Sequence, residues 1–187
     1  MNACIFIRHG ATDMTGRFCG HSDPPLNDAG RIQAERAAST LRAVTEVIYS
    51  SDLLRARQSA AIFAAHLAVP VQVRPGLREI GFGQWEGLSW REIEQRFPIE
   101  SQAWVEHFPV GVIPSGESYS TFLDRVRHEM AFLSAQAESQ ALIVVTHGGF
   151  IRTALHEVYD ISADQAHQLS AEYAAIVDLS QLHGGAQ

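Results

Sequence analysis

Two histidines, each closing an apolar run, are the residues of this chain best suited to chemistry. Cys4-Ile5-Phe6-Ile7 ends in Arg8-His9-Gly10-Ala11-Thr12, and Ala141-Leu142-Ile143-Val144-Val145 ends in Thr146-His147-Gly148-Gly149. A neutral imidazole is well populated near pH 7, given an unperturbed pKa of about 6.5, and it can attack an electrophile through one nitrogen. Arg8, and Arg55 in the segment Leu54-Arg55-Ala56-Arg57-Gln58-Ser59, can each present paired N–H donors that match phosphate oxygens. Phosphoryl transfer is the chemistry this set allows. His9 is the candidate nucleophile; its second nitrogen must donate to a nearby acceptor, which sets the tautomer. His147, if protonated, adds a positive donor, and Gly10 and Gly148 let backbone N–H groups come close to an anion. Glu79 is the candidate acid for the leaving oxygen and then the base for water. That role needs a raised carboxyl pKa, which a dianionic phosphate close by favours.

Hydrolysis of a phosphate monoester is among the slowest uncatalysed reactions, so most of the barrier reduction must come from holding the group and balancing its charge. Arginine and histidine supply that positive charge, so neither a metal nor another cofactor is expected. Zinc held by His9, His147 and Glu79 is disfavoured because the neighbouring arginines repel a cation. Taken singly, each residue has a plainer reading. A histidine at a strand end is a polar cap, Arg55 a first-turn surface arginine, and Glu79 a solvated loop carboxylate. Arg57 reads as a surface residue, and Glu86 with Trp85 as pins of a loop. His66, His128, His156 and His167 fall on helix surfaces, His107 is ambiguous, and His21 lies in a loop within reach of ligand. What sets His9 and His147 apart is that both are followed by glycine and one is preceded by arginine.

For these groups to act together, the elements must carry them to one place. Continuous aliphatic runs of this length read as strands buried on both faces, as in a parallel sheet. In such sheets the ligand crevice lies at the carboxyl ends of the strands, where both histidines fall. The loop 12–25 leaves the first strand at that end and is placed to touch ligand. Asn27 caps a helix from about Asp28 to Arg42 whose stripe is Ile32, Ala37 or Ala38, Leu41 and Val44. Thr45 to Tyr49 reads as a strand, and Ser51 or Asp52 as the cap of a helix from Leu53 to about Ala68. Val69 to Val73 is a third strand, and glycines from Gly76 to Gly87 make an irregular loop. Short helices follow over about 89–97 and 99–107, then a loop from Phe108 to Gly116. A longer helix, Tyr119 to Ala137, buries Phe122, Val126, Met130 and Leu133. Gly149 opens a helix with Ile151, Leu155 and Val158 inward, and Ala174 to Leu179 is a last strand. Strands alternating with helices predict a three-layer α/β/α sandwich with a mostly parallel central sheet.

The totals agree with one domain over residues 1–187, long enough for a full core without staples. No run reaches the roughly eighteen apolar residues of a membrane span, and the start of the chain is too quickly polar for a signal peptide. Cys4 and Cys19 lack metal-ligand spacing, so a reduced, cytoplasmic protein is expected. A net charge of -7 argues against nucleic-acid binding. All 14 basic residues are arginine, which removes lysine-based chemistry such as a Schiff base or a P-loop. The expected partner is a small-molecule phosphate monoester, with no nucleic acid and no membrane.

Arg8-His9-Gly10, Leu54 to Ser59, Leu77-Arg78-Glu79 and His147-Gly148-Gly149 resemble, in order, the motifs of the histidine phosphatase superfamily, in its phosphoglycerate-mutase-like branch. Four motifs in register over nearly the whole chain are a specific match. The resemblance implies that His9 carries the phosphoryl group, that Arg8, Arg55 and His147 form the phosphate pocket, and that Glu79 is the acid and base. The choice of His9 over His147 rests on it. Gly16 to Gly20, Asp23-Pro24-Pro25-Leu26 and Phe82 to Gly87 are further similar to α-ribazole phosphatases of cobalamin synthesis, which implies α-ribazole 5'-phosphate as substrate. The chain departs from the pattern twice: Ala11 stands where a glutamate commonly follows Arg-His-Gly, and the usual asparagine a few residues on is missing, so Thr12 or Thr15 must replace that donor. Mutases of the branch have a longer insertion, with extra basic residues, between the glutamate and the second histidine. Here that interval is short and holds only Arg91, Arg96, Arg125 and Arg127. A hydrolase is therefore expected, ahead of a phosphoglycerate mutase or a non-catalytic phospho-ligand sensor. The segment from Phe97 to Gly116, with Trp104, His107 and Phe108, is expected to set specificity.

Overall fold

Side chains that alternate between two apolar layers build the centre of the molecule. The structure, a computed structural model, describes residues 4–42 and 45–182. Its sheet holds β1 (Cys4–Arg8), β2 (Ile48–Ser50), β3 (Val71–Val73), β4 (Leu142–Thr146) and β5 (Ile176–Asp178). The order is β3-β2-β4-β1-β5; the first four strands run parallel and β5 runs antiparallel along β1. Around it lie α1 (Asp28–Thr40), α2 (Leu54–Leu67), α3 (Trp90–Arg96), α4 (Pro98–Glu106), α5 (Tyr119–Ala137), α6 (Gly148–Glu157) and α7 (Ala163–Ser170). This is the expected α/β/α sandwich with a mostly parallel sheet.

Because β1 and β4 are covered on both faces, every second residue enters a different core. Phe6, Tyr49 and Val144 pack with α5 and α6, while Ile7, Ile48 and Val145 pack with α1 and α2. The four expected residues of α5, Phe122, Val126, Met130 and Leu133, are all buried. Ala38 and Leu41 of the expected α1 stripe are buried, but its first turns bury Gly30 and Ala34, and Ile32 is 47% exposed. The reason is close approach: a Cβ on Gly10 would lie 2.2 Å from the Gly30 carbonyl oxygen, so only small residues fit where α1 crosses the end of β1. Val44, the last residue of the expected stripe, lies outside the described residues. Val158 is not inward but 41% exposed, since α6 ends at Glu157.

Two caps behave differently. Asn27 accepts from the Gly30 amide at 2.8 Å, as its type requires. The N-cap of α2 is Leu53, with no side-chain cap of its own, and the Leu54 amide donates instead to Asp23 of the loop after β1. Asp52 is taken by Arg78, whose Nε donates to it at 2.7 Å. A third cluster, built on Trp85, Ile93 and Ile113, gathers Phe18, Phe82 and Trp104 outside the sheet. Trp85 is fully buried at its centre, and truncating such a residue typically costs about 3–5 kcal/mol. Among the described residues no helix is long and apolar enough to cross a membrane.

Candidate active site

Strand register brings the two histidines together. Arg8 pairs with Thr146 in the β1–β4 ladder, so the next residue on each strand is a histidine at the same carboxyl edge. The His9 amide donates to the Thr146 carbonyl at 3.0 Å, and the two imidazole centroids are 5.0 Å apart. His9 Nδ1 lies 2.7 Å from the Gly10 carbonyl oxygen. A carbonyl only accepts, so Nδ1 carries the hydrogen and the lone pair is on Nε2. Arg55 Nε donates to that Nε2 at 3.2 Å. Burial first and Arg55 second lower the His9 pKa well below its ordinary value; the Gly10 bond opposes them and Arg8 adds to them. The ring is neutral at pH 7.

His147 is wholly buried, and its Nε2 lies 2.9 Å from Ser51 Oγ while Nδ1 has no partner among the described residues. Burial, then Arg55, His9, Arg8 and Arg125, lower its pKa well below the ordinary value. The positive charge that His147 would add if protonated is thus opposed by its burial and by the neighbouring guanidinium groups. Gly10 also departs from expectation. Its N–H donates to Ser59 Oγ at 3.0 Å, so it is not free for an anion.

Arg55 is fully buried and holds the loop after β1 by donating to the carbonyls of Cys19, Gly20 and Ser22. Glu86 works from the opposite side, accepting backbone N–H bonds from Gly20, His21, Ser22 and Phe82. Burial opposes its charge, yet these hydrogen bonds, with that of the Ser22 side chain, hold its carboxyl below the ordinary range. Arg8 donates to the Ser170 and Ala171 carbonyls and lies 4.2 Å from the Tyr173 ring centroid; its buried Nε has no hydrogen-bond partner among the described residues.

Glu79 is buried, with Oε1 accepting from its neighbour Ile80 (3.0 Å) and Oε2 from the Gly149 amide (2.8 Å). A Cβ on Gly149 would lie 2.1 Å from Oε1, so the contact requires glycine. Arg125 holds the Glu79 segment by donating to the carbonyls of Gly76, Arg78 and Glu79, and is itself paired with Glu117 at 2.7 Å.

Two cavities meet at Glu79. A crevice of about 280 Å³ is lined by Arg8, His9, Thr12, Cys19, Glu79 and Tyr173, among others. A larger one of about 560 Å³ shares Arg8, Phe18, Glu79 and Phe82 with it and adds Trp104, Phe108, Gly148 and Arg152. Of the expected site residues, Arg55 and His147 are fully buried behind His9 and line neither cavity, and Thr15 and His21 line neither as well. Thr15 is exposed with its hydroxyl donating to the Thr12 carbonyl, and the His21 ring turns to the Glu79 carbonyl at 3.1 Å. His107 is exposed and also lies off the cavity wall. Among the described residues no three His, Cys, Asp or Glu side chains are grouped so as to hold a metal.

Sequence reasoning missed Ser51, Ser59, Arg125, Arg152 and Tyr173. Ser51 follows β2 at the same carboxyl edge as the histidines, and Ser59 stands one turn after Arg55, so position alone signalled both. Arg125 and Tyr173 carry no local signal, and Tyr173 follows α7, a polar helix that was not expected.

A sequence model of the histidine phosphatase superfamily (branch 1) matches residues 4–187. The chain is 30% identical over 161 residues to the adenosylcobalamin/alpha-ribazole phosphatase of Escherichia coli (strain K12), covering 84% of this chain and 79% of that protein. It is 33% identical over 156 residues to the metal-independent phosphoserine phosphatase of Arabidopsis thaliana, covering 79% of this chain and 65% of that one. The crystal structure of the alpha-ribazole phosphatase from Shigella flexneri superposes with a TM-score of 0.85 at 25% identity, over 94% of this chain and 89% of its own. The family match spans every group described above, from Arg8 to Tyr173, and by it the chain belongs to the histidine phosphatase superfamily, branch 1, and is a phosphatase.

Proposed function

We propose that the chain hydrolyses a small phosphate monoester through a phosphohistidine on His9, without a metal. The observation that carries this reading is the tautomer of His9: its Nδ1–H is held by the Gly10 carbonyl, which puts the lone pair on Nε2, where Arg55 Nε donates to it and the His147 ring centroid lies 5.0 Å from that of His9. In the first step Nε2 forms a bond to phosphorus as the ester P–O bond breaks, and Glu79 gives its proton to the leaving alkoxide. Water then attacks phosphorus, the N–P bond breaks, and Glu79 takes back a proton; the products are the alcohol and inorganic phosphate. Arg8, Arg55 and His147 hold the phosphoryl oxygens, and His147 takes up a proton when the dianion arrives. The place of Glu79 between the two cavities supports its role, since the leaving oxygen must lie between the phosphoryl site and the space for the alcohol. Thr12, whose Oγ1 accepts from Met14 and leaves its O–H to donate, supports replacement of the absent asparagine, with Thr15 behind it. Gly148 at the start of α6 gives the anion a close approach.

The finer reading is α-ribazole 5'-phosphate and a role in cobalamin synthesis. The aromatic wall of Phe18, Phe82, Trp104 and Phe108 supports it by offering stacking faces to a flat base. All these groups converge on one sheet edge, which supports a single catalytic domain over residues 1–187. Two free cysteines, Cys4 and Cys19, support a reducing, cytoplasmic setting. The test is a quench during turnover of a labelled monoester in EDTA. Phosphate bound to protein should be acid-labile, base-stable and absent from His9→Asn, whereas phosphate on serine, or full inhibition by EDTA, would refute the mechanism. A panel containing α-ribazole 5'-phosphate, phosphoserine and 3-phosphoglycerate ranks the substrates, and transfer between hydroxyls without phosphate release would mark a mutase instead.

A further inference from the structure

The larger cavity contains one charge that nothing answers. Arg152 projects from α6 into its wall, its Nε is buried without a hydrogen-bond partner, and among the described residues its guanidinium makes neither a hydrogen bond nor an ion pair. Every other charged group around that space is engaged. Glu117 is paired with Arg125 at 2.7 Å. Glu157 accepts from the Tyr119 hydroxyl at 3.0 Å and faces Arg127 at 3.6 Å. Glu79 is held by two backbone amides, and Arg8 donates to the carbonyls of Ser170 and Ala171. Arg152 is near enough to Glu79 and Arg8 to feel both charges, yet it pairs with neither, and burial depresses its pKa.

A surface arginine keeps all its donors in water; this one has lost water at Nε and received nothing in return. A half-buried cation without an acceptor is costly unless something arrives to meet it. Arg152 lines the large cavity and is absent from the lining of the crevice that holds His9. What meets it is therefore on the alcohol side of Glu79, beyond the transferred phosphoryl group. The wall around it is otherwise mostly aromatic or aliphatic, including Phe82, Trp104, Ile113 and Phe122. A purely apolar alcohol would fill that wall and leave the guanidinium desolvated with its donors unused.

We infer that Arg152 is a specificity-determining residue: it receives an oxygen acceptor, hydroxyl or carboxylate, on the carbon skeleton of the leaving alcohol. The inference rests on the phosphomonoesterase reading above. Three esters with the same three-carbon skeleton separate the possibilities: n-propyl phosphate has no acceptor, glycerol 3-phosphate has hydroxyls, and 3-phosphoglycerate adds a carboxylate. With the native chain, kcat/KM for at least one oxygenated ester should exceed that for n-propyl phosphate by at least about tenfold. Arg152→Met, similar in length but without a donor, should bring that ratio close to one, and Arg152→Lys should restore part of it. A gain confined to glycerol 3-phosphate identifies a sugar-like alcohol, and one confined to 3-phosphoglycerate an acidic one; either supports the inference. A ratio that Arg152→Met leaves unchanged while turnover persists overturns it, as does an equal fall for all three esters, which a merely structural role would produce. If the native chain turns over none of the three and forms no phosphohistidine, the hydrolase reading itself fails, and the inference with it.

Discussion

Gly149 shows how closely single residues control the site. Its amide donates to Glu79 at 2.8 Å, and a methyl group there would stand 2.1 Å from the same carboxylate. Gly149→Ala must displace Glu79, and a misplacement of about 1 Å can cost on the order of 100-fold in rate. Steady-state kinetics should show that loss in kcat, with KM for p-nitrophenyl phosphate changed little because the phosphoryl contacts lie elsewhere. The two histidines predict a pH effect on stability. Both are held neutral, with pKa values lowered first by burial and then by Arg55. The unfolded chain therefore binds more protons than the folded one as pH falls through the ordinary histidine range, so stability is full above about pH 6.5 and declines below it. One unit below that pH, each ring that stays neutral costs about 1.4 kcal/mol. Urea midpoints at pH 7.5 and 5.5 should differ accordingly, and His147→Gln should narrow the gap. The histidines, Arg8, Arg55 and Glu79 could be named as candidates from residue type, setting and the order of their motifs. Arg152 could not, because what distinguishes it is the lack of a partner, and that exists only after folding.

The elements were legible wherever their signal was local. The apolar runs of β1 and β4 and the stripe of α5 follow from side-chain periodicity, which does not depend on the rest of the chain. The cap of α2 was not, since Asp23 supplies it from 31 residues away. At the other end of the same helix, Ala68 adopts φ 56° and ψ 43°, a left-handed conformation that a Cβ disfavours. Ala68→Gly at this C-terminal position should stabilise the fold by about 1 kcal/mol. Thermal unfolding should move up by roughly 2–4 °C with kcat unaltered, because the substitution touches neither cavity. A fall in the midpoint would show that the entropy lost by glycine outweighs the relieved strain.

At the scale of the whole molecule, the proposed phosphate site draws on β1, α2 and β4 together, so an anion bound there ties both cores to one ligand. A ligand at 100 times its Kd adds about 2.7 kcal/mol to stability. For a chain of this size, saturating vanadate should therefore raise the unfolding midpoint by roughly 5–10 °C in a single transition. Arg55→Ala, which removes a donor to His9 and the anchor of three loop carbonyls, should abolish most of that gain. By itself the sequence determined the layered architecture and the residue types for phosphoryl transfer, because burial periodicity and side-chain chemistry are local properties. Only the tertiary structure decided which nitrogen of His9 carries the lone pair, that burial and Arg55 push the His147 pKa down, that Gly10 donates its amide to Ser59, and that Arg152 stands unanswered. Each of these depends on partners tens of residues away, and which groups meet is settled by packing, not by any window of the chain.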